Sequence, residues 1–146
     1  MVSTEQQVLD ELVAGWIELA LEYGEGASGL TAVYIYVSSE RGSVFPEIVF
    51  EQRGELRYPS DLAGVDTGVD RVRGIHRLQF EDLRLAEGRF AEIGVTPPTE
   101  YRVVYDTASR RSSVAISREL IYANDPRRVP EHGPREWLGE RLPATF

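Results

Sequence analysis

Apolar side chains recur at helical spacing from the start of the chain. Val8, Leu9, Leu12, Val13, Trp16, Ile17, Ala20 and Leu21 fall on one face at about 100° per residue. Ser3 or Thr4, followed three residues later by Gln6 or Gln7, supplies a capping-box start, and Gly24 is placed to stop the helix. Gln7, Glu11, Gly15, Glu18 and Glu22 share the opposite face, so the carboxylates of Glu11, Glu18 and Glu22 form a stripe pointing away from whatever the apolar face covers. Residues 30–37, Leu-Thr-Ala-Val-Tyr-Ile-Tyr-Val, and 43–52 are rich in β-branched and aromatic side chains, with Glu40-Arg41-Gly42 between them. This pattern predicts a hairpin. Pro46 has no N–H to donate, which puts the second strand at an edge or a bulge. Arg53-Gly54 then turns into a short third strand ending near Tyr58 and closed by Pro59.

Helical spacing returns from about Asp66 to Ile93 through Val69, Val72, Phe80, Leu83, Ala86 and Phe90, with Ile75, Leu78 and Leu85 widening the stripe. Gly74 and Gly88 are the positions at which this long helix would bend or end early. Thr96-Pro97-Pro98-Thr99 is a linker. Tyr101, Val103 and Tyr105, then Val114 and Ile116 after the polar turn Asp106 to Arg110, alternate as a second hairpin. Leu120, Ile121 and Tyr122 are placed to prolong the sheet, and Pro134 suits a first helical position from which Trp137 and Leu138 would pin a short closing helix.

The order α-β-β-β-α-β-β-(β)-α predicts one α+β domain over 1–146, with a short C-terminal tail from about 124. Its antiparallel sheet of about five to six strands should carry helices packed on one face. If Val33, Ile35 and Val37 with Val44, Ile48 and Phe50 face the helices, then Tyr34, Tyr36, Glu47, Val49 and Glu51 point to the other face. The competing assignment inverts the strands and puts the tyrosines in the core.

Charge changes the picture more than composition does. The chain has sixteen basic residues, all Arg, against 24 acidic ones, a formal net charge of −8. General nucleic-acid binding is excluded, because counterion release needs a basic surface. Residues 1–40 hold Glu5, Asp10, Glu11, Glu18, Glu22, Glu25 and Glu40 with no basic residue, so nearly all the excess lies in the first quarter. Such a cluster is either a solvated helix face or a docking surface for something basic. Cysteine is absent, which excludes disulfides, thiolate metal sites and thiol catalysis. Neither a leader nor a membrane span of about 20 apolar residues stands out, so a soluble cytoplasmic protein is expected.

No cofactor or metal motif survives inspection. Gly24-Glu25-Gly26-Ala27-Ser28-Gly29 matches G-x-G-x-x-G, but a helix precedes it and a strand follows, so no helix N-terminus faces a pyrophosphate. His76 and His132 lack metal-ligand spacing. Glu81-Asp82 and Asp10-Glu11 are neighbours that diverge on a helix. Arg110-Arg111 and Arg127-Arg128 read as solvated loop pairs, and the nucleophile and phosphate-loop signatures are missing.

The acidic first helix, the hairpin strand Val33-Tyr34-Ile35-Tyr36-Val37, the long middle helix and a hairpin closing on a Trp-bearing tail resemble the YezG-like family of bacterial immunity proteins. The similarity is nearest over Glu100-Tyr101-Arg102-Val103-Val104-Tyr105-Asp106 and Ser113-Val114-Ala115-Ile116-Ser117. The glycine-rich turn after the first helix and Pro126, Pro130 and Pro134 in the tail depart from that pattern. The resemblance implies an antitoxin that neutralises a cognate polymorphic toxin, often a nuclease, by protein–protein binding, with no enzymatic activity. A basic toxin domain is the expected partner, through Glu11, Glu18, Glu22, Tyr34, Tyr36, Glu47 and Glu51, with Trp16 as a further anchor if it is partly exposed. The alternative is a small α+β enzyme or ligand-binding protein with a cleft under the middle helix, marked by His76 in a deep pocket beside a carboxylate of shifted pKa. Weak homodimerisation through an edge strand is a third arrangement.

Overall fold

A reciprocal capping box opens the first helix in the computed structural model, which describes residues 3–143. The Gln7 N–H donates to Thr4 Oγ1 at 3.1 Å and the Thr4 N–H donates to Gln7 Oε1 at 2.8 Å, fixing the start of α1 (Glu5–Tyr23). Gly24 ends α1 with φ −81°, outside the left-handed region. Its lack of a side chain serves packing instead, since a β-carbon there would come within 2.9 Å of the Leu30 side chain.

Three strands follow: β1 (Leu30–Glu40), β2 (Ser43–Gln52) and β3 (Glu55–Arg57). Helix α2 (Val69–Glu92) then carries the chain across the sheet to β4 (Glu100–Asp106) and β5 (Arg111–Ser117). The five strands lie in the order β3-β2-β1-β4-β5, every pair antiparallel. The fold is therefore α+β, as the element order predicts. The short helix α3 (Gly133–Leu138) lies in the C-terminal segment.

Two expectations are corrected. Helix α2 begins at Val69 rather than Asp66 and runs unbroken through Gly74 and Gly88, where added β-carbons would meet nothing within 4 Å. A glycine costs a helix interior only about 1 kcal/mol, and here the buried stripe Ile75, Leu83, Ala86 and Phe90 holds the helix to the sheet. The stop comes at Gly94, φ 71°, where Val95 N–H donates to Phe90 O and Gly94 N–H to Ala91 O, a Schellman closure. Residues 120–122 do not extend the sheet either. The Glu40 carboxylate captures their backbone: Ile121, Tyr122 and Ala123 N–H groups all donate to it at 3.0–3.2 Å.

The strand alternation is as assigned. Val33, Ile35, Val37, Ile48, Phe50, Tyr101 and Val103 pack beneath Val8, Leu12, Trp16, Ala20, Leu83 and Phe90 in the main core. Trp16 is fully buried, edge-on to Tyr101 at 5.1 Å, and its indole N–H donates to the Gln79 carbonyl of α2 at 3.1 Å. It is consequently no partner anchor. The opposite sheet face is covered too. Residues 118–143 fold over it, with Trp137 edge-on to Tyr34 at 5.8 Å and Leu142 packed with Val49 and Leu56. Among the described residues no helix is long and apolar enough to cross a membrane.

Candidate functional site

The two helices lie over β1, β2 and β4, and β5 extends beyond them. On the helix side β5 presents Ser112, Val114 and Ile116, paired with Tyr105, Val103 and Tyr101 of β4. Because no helix covers them, Val114 and Ile116 remain 39% and 37% exposed. Between these residues and α1 runs an open groove of about 1090 Å³. Leu9, Val13, Ile17, Leu21 and Tyr105 complete its apolar lining, and Asp10, Glu18, Glu22 and Glu25 bring in four carboxylates. Among the described residues that line it none is basic. This size and composition suit a binding site, being mostly apolar with a few oriented polar groups.

Several carboxylates outside the groove are neutralised by arginine. Glu5 pairs with Arg118, Glu11 with Arg89, Glu51 with Arg141, Glu100 with Arg102 and Glu136 with Arg128. Among the described residues, none of the four groove carboxylates lies within ion-pair distance of a cation. Their negative potential is left uncompensated at the surface, over a low-dielectric floor that focuses it.

The residues singled out from the sequence divide accordingly. Glu18 and Glu22 are exposed on the groove. Glu11 is exposed but tied to Arg89 across the α1–α2 seam, beside a smaller cleft of about 230 Å³ that includes Asp82. Burial and the neighbouring Glu81 raise the pKa of Asp82. Tyr34, Tyr36 and Glu51 do point to the non-helical face, but they are not an open surface, and Glu47 departs from that face, its carboxylate curling round the β2 edge to His76 of α2. Tyr36 is 1% exposed: its hydroxyl donates to Glu100 Oε2 at 2.6 Å and bonds to the Tyr122 hydroxyl. Burial and these two partners push its pKa far upward. Tyr34 is half-buried and donates to Glu51 Oε2 at 3.2 Å, while Arg141 holds the other Glu51 oxygen at 2.9 Å. The C-terminal segment has taken the place assigned to a partner. The sequence carries one sign of this in Trp137 and Leu138, which join Tyr122 and Leu142 as apolar anchors of that segment.

Glu47 sits on the free edge of β2. Strand β3 pairs only with residues 50–52 of β2, and the exposed edge beyond is closed by other means. Pro46 has no N–H there, and Glu47 Oε1 accepts from the Ile48 N–H at 3.0 Å. Above it, His76 Nε2 lies 3.6 Å from the same oxygen, and the Gln79 amide donates to the Glu47 carbonyl at 3.2 Å. Burial pushes the Glu47 carboxyl up to about 7, against the Ile48 hydrogen bond, and pushes the His76 imidazole down, against its contact with Gln79. Both groups are driven toward their neutral forms.

The glycine-rich segment 24–29 is a loop between α1 and β1, stitched by Gln52 Nε2 to the Ser28 carbonyl at 2.9 Å and by Arg53 to Ser28 Oγ at 2.8 Å. It offers no helix N-terminus to a phosphate. No protein-family model matches the chain, and no curated protein matches it either.

Proposed function

We propose that this protein is an immunity protein that neutralises a basic toxin domain in the cytoplasm of the producing cell, by occupying it with the α1–β5 groove. The observation that carries this reading is the coincidence of an apolar floor with four carboxylates that no cation neutralises among the described residues. A nuclease domain must be basic to hold phosphates, so an acidic groove steers it, and charge complementarity raises association rates above the neutral ~10⁵–10⁶ M⁻¹s⁻¹. The apolar floor then supplies the desolvated contact that slows dissociation. The acidic face of α1 is thus divided: Glu18 and Glu22 serve docking, and Glu11 serves the helix seam.

The test is survival of cells expressing the variable C-terminal domain of a toxin encoded beside this chain. Co-expression of the chain should rescue growth, the Glu18→Arg/Glu22→Arg double variant should not, and Glu11→Gln should still rescue. An adjacent frame encoding no such domain, or death despite the chain, overturns the reading.

A second reading, a small α+β enzyme, is favoured by one observation, the shifted Glu47 beside His76 under the first half of α2. It carries less weight because both groups are occupied in closing the β2 edge, and neither lines the groove or the α1–α2 cleft. Turnover of a small ester or amide, lost in both Glu47→Gln and His76→Ala, would promote it.

A further inference from the structure

The two edges of the sheet are treated in opposite ways. Along β2 the edge left open by the three-residue β3 is closed by Pro46, by the Glu47 side chain on the Ile48 N–H, and by His76 reaching down from α2 to the Glu47 carboxylate. These are the devices by which proteins prevent an edge from pairing. Strand β5 is seven residues long, pairs only with β4 among the described residues, and has no proline. Its sole charge is Arg111 at one end, and all but its last residue are exposed. Half of its backbone N–H and C=O groups therefore point outward without a strand partner, directly beside the apolar, acid-rimmed groove.

We infer that the occupant of the groove is an extended basic segment of another polypeptide, which adds to β5 as a sixth strand. This inference rests on the reading above and names the partner's form. An added strand satisfies the outward backbone groups of β5, which a helix laid in the groove would leave unpaired. Its helix-side residues continue the row of Val114 and Ile116 outward, along the open side of the groove. Arg or Lys at these positions lays its aliphatic stem on Leu21 and Ile17 and brings its charge to Glu18 and Glu22. A second copy of this chain is the other strand an open edge could take, and charge disfavours it. Pairing β5 with its twin would bring together two uncompensated acidic grooves on molecules of net charge −8.

The probes are a nine-residue peptide of alternating Arg and Val, its backbone N-methylated analogue, and an amphipathic helical peptide of Leu and Arg. Binding and NMR amide exchange are measured on the whole chain. The Arg-Val peptide should bind, slow exchange of alternate amides within 111–117 at least tenfold, and bind at least tenfold more weakly to Glu18→Arg/Glu22→Arg. The N-methylated analogue should also bind at least tenfold more weakly. If the helical or N-methylated peptide binds as well while the β5 amides stay unprotected, strand addition is overturned and the basic-partner reading stands. If none of the peptides binds, both fall. Concentration-dependent protection of β5 in the free protein, with a dimer in sedimentation, assigns the edge to a second copy and overturns the inference.

Discussion

Gly133 lies directly against the hydroxyl end of Tyr36: a β-carbon added at Gly133 would fall 2.1 Å from the Tyr36 oxygen and 2.2 Å from the ring carbon bearing it. The glycine is not needed for backbone conformation, since its φ is −56°. It is needed so that the first turn of α3 can rest on the buried hydroxyl cluster of Tyr36, Tyr122 and Glu100. Gly133→Ala should therefore lift α3 from the sheet and cost about 1–3 kcal/mol, the range for overpacking a filled site. Chemical denaturation measures the loss, and a red shift of emission on exposure of Trp137, with Trp16 still buried, locates it. An unshifted midpoint would mean that the segment rests on the sheet too loosely to count as its cover.

Glu40 holds the other end of that segment. Its carboxylate accepts N–H groups from three successive residues, Ile121, Tyr122 and Ala123, in a stretch with no regular structure to satisfy them. Glu40→Gln turns an NH₂ toward those donors, and the expected cost is about 1–3 kcal/mol. Amide exchange at 121–123 should accelerate and proteolysis should begin within 118–143, while the core amides of β1 and β4 keep their protection. Global rather than local loosening would show that the clamp holds the sheet as well.

These two contacts show where legibility ended. Alternation placed Tyr34 and Tyr36 on the correct face, and helical spacing placed α1 and α2, because periodic burial leaves a periodic trace. What covers the second face had no such trace. Residues 118–132 hold their place through single contacts such as Glu40 to backbone N–H groups and Tyr122 to Tyr36, which join positions 81–86 residues apart. The groove was half legible. Glu18 and Glu22 were visible as an acidic stripe, but the offset of α1 from β5 that gives them an apolar floor is a tertiary fact. Glu11 belongs to the same stripe and was diverted by Arg89, a residue 78 positions away.

Two hairpins turn through the same unusual dipeptide. Arg41-Gly42 and Arg53-Gly54 both have positive φ at both residues (49° and 82°, 53° and 82°), the type I′ geometry that matches strand twist and favours Asn-Gly. A left-handed arginine costs about 1–2 kcal/mol. At Arg53 the side chain offsets part of that by bonding Ser28 Oγ and covering Gly29, a contact that the equally exposed Arg41 does not make. Arg41→Asn should therefore stabilise by about 0.5–1 kcal/mol, and Arg53→Asn should gain less or lose. Thermal melts of the two variants decide this, and equal gains would assign no value to the Arg53–Ser28 contact.

The Glu47–His76 pair gives stability a pH dependence whose sign follows from burial. The unfolded carboxyl titrates near its ordinary 4.5, and the folded one is pushed up to about 7. Between those values the folded protein keeps a proton that the unfolded chain has released, so this group's contribution to stability falls as pH rises through that window. Glu47→Gln keeps an oxygen for the Ile48 N–H and cannot ionise. Parent and variant should match near pH 4, and the variant should be more stable at pH 8 by an amount on the order of 2–3 kcal/mol. His76 acts oppositely, since a folded imidazole held below its ordinary 6.5 loses stability as pH falls through that region. It remains in both proteins, so their difference reports Glu47. Urea titrations at half-unit intervals from pH 4 to 8 supply the curve. A parent more stable than the variant around pH 6 would show the opposite electrostatics, a charged Glu47–His76 ion pair whose attraction exceeds the cost of burying it.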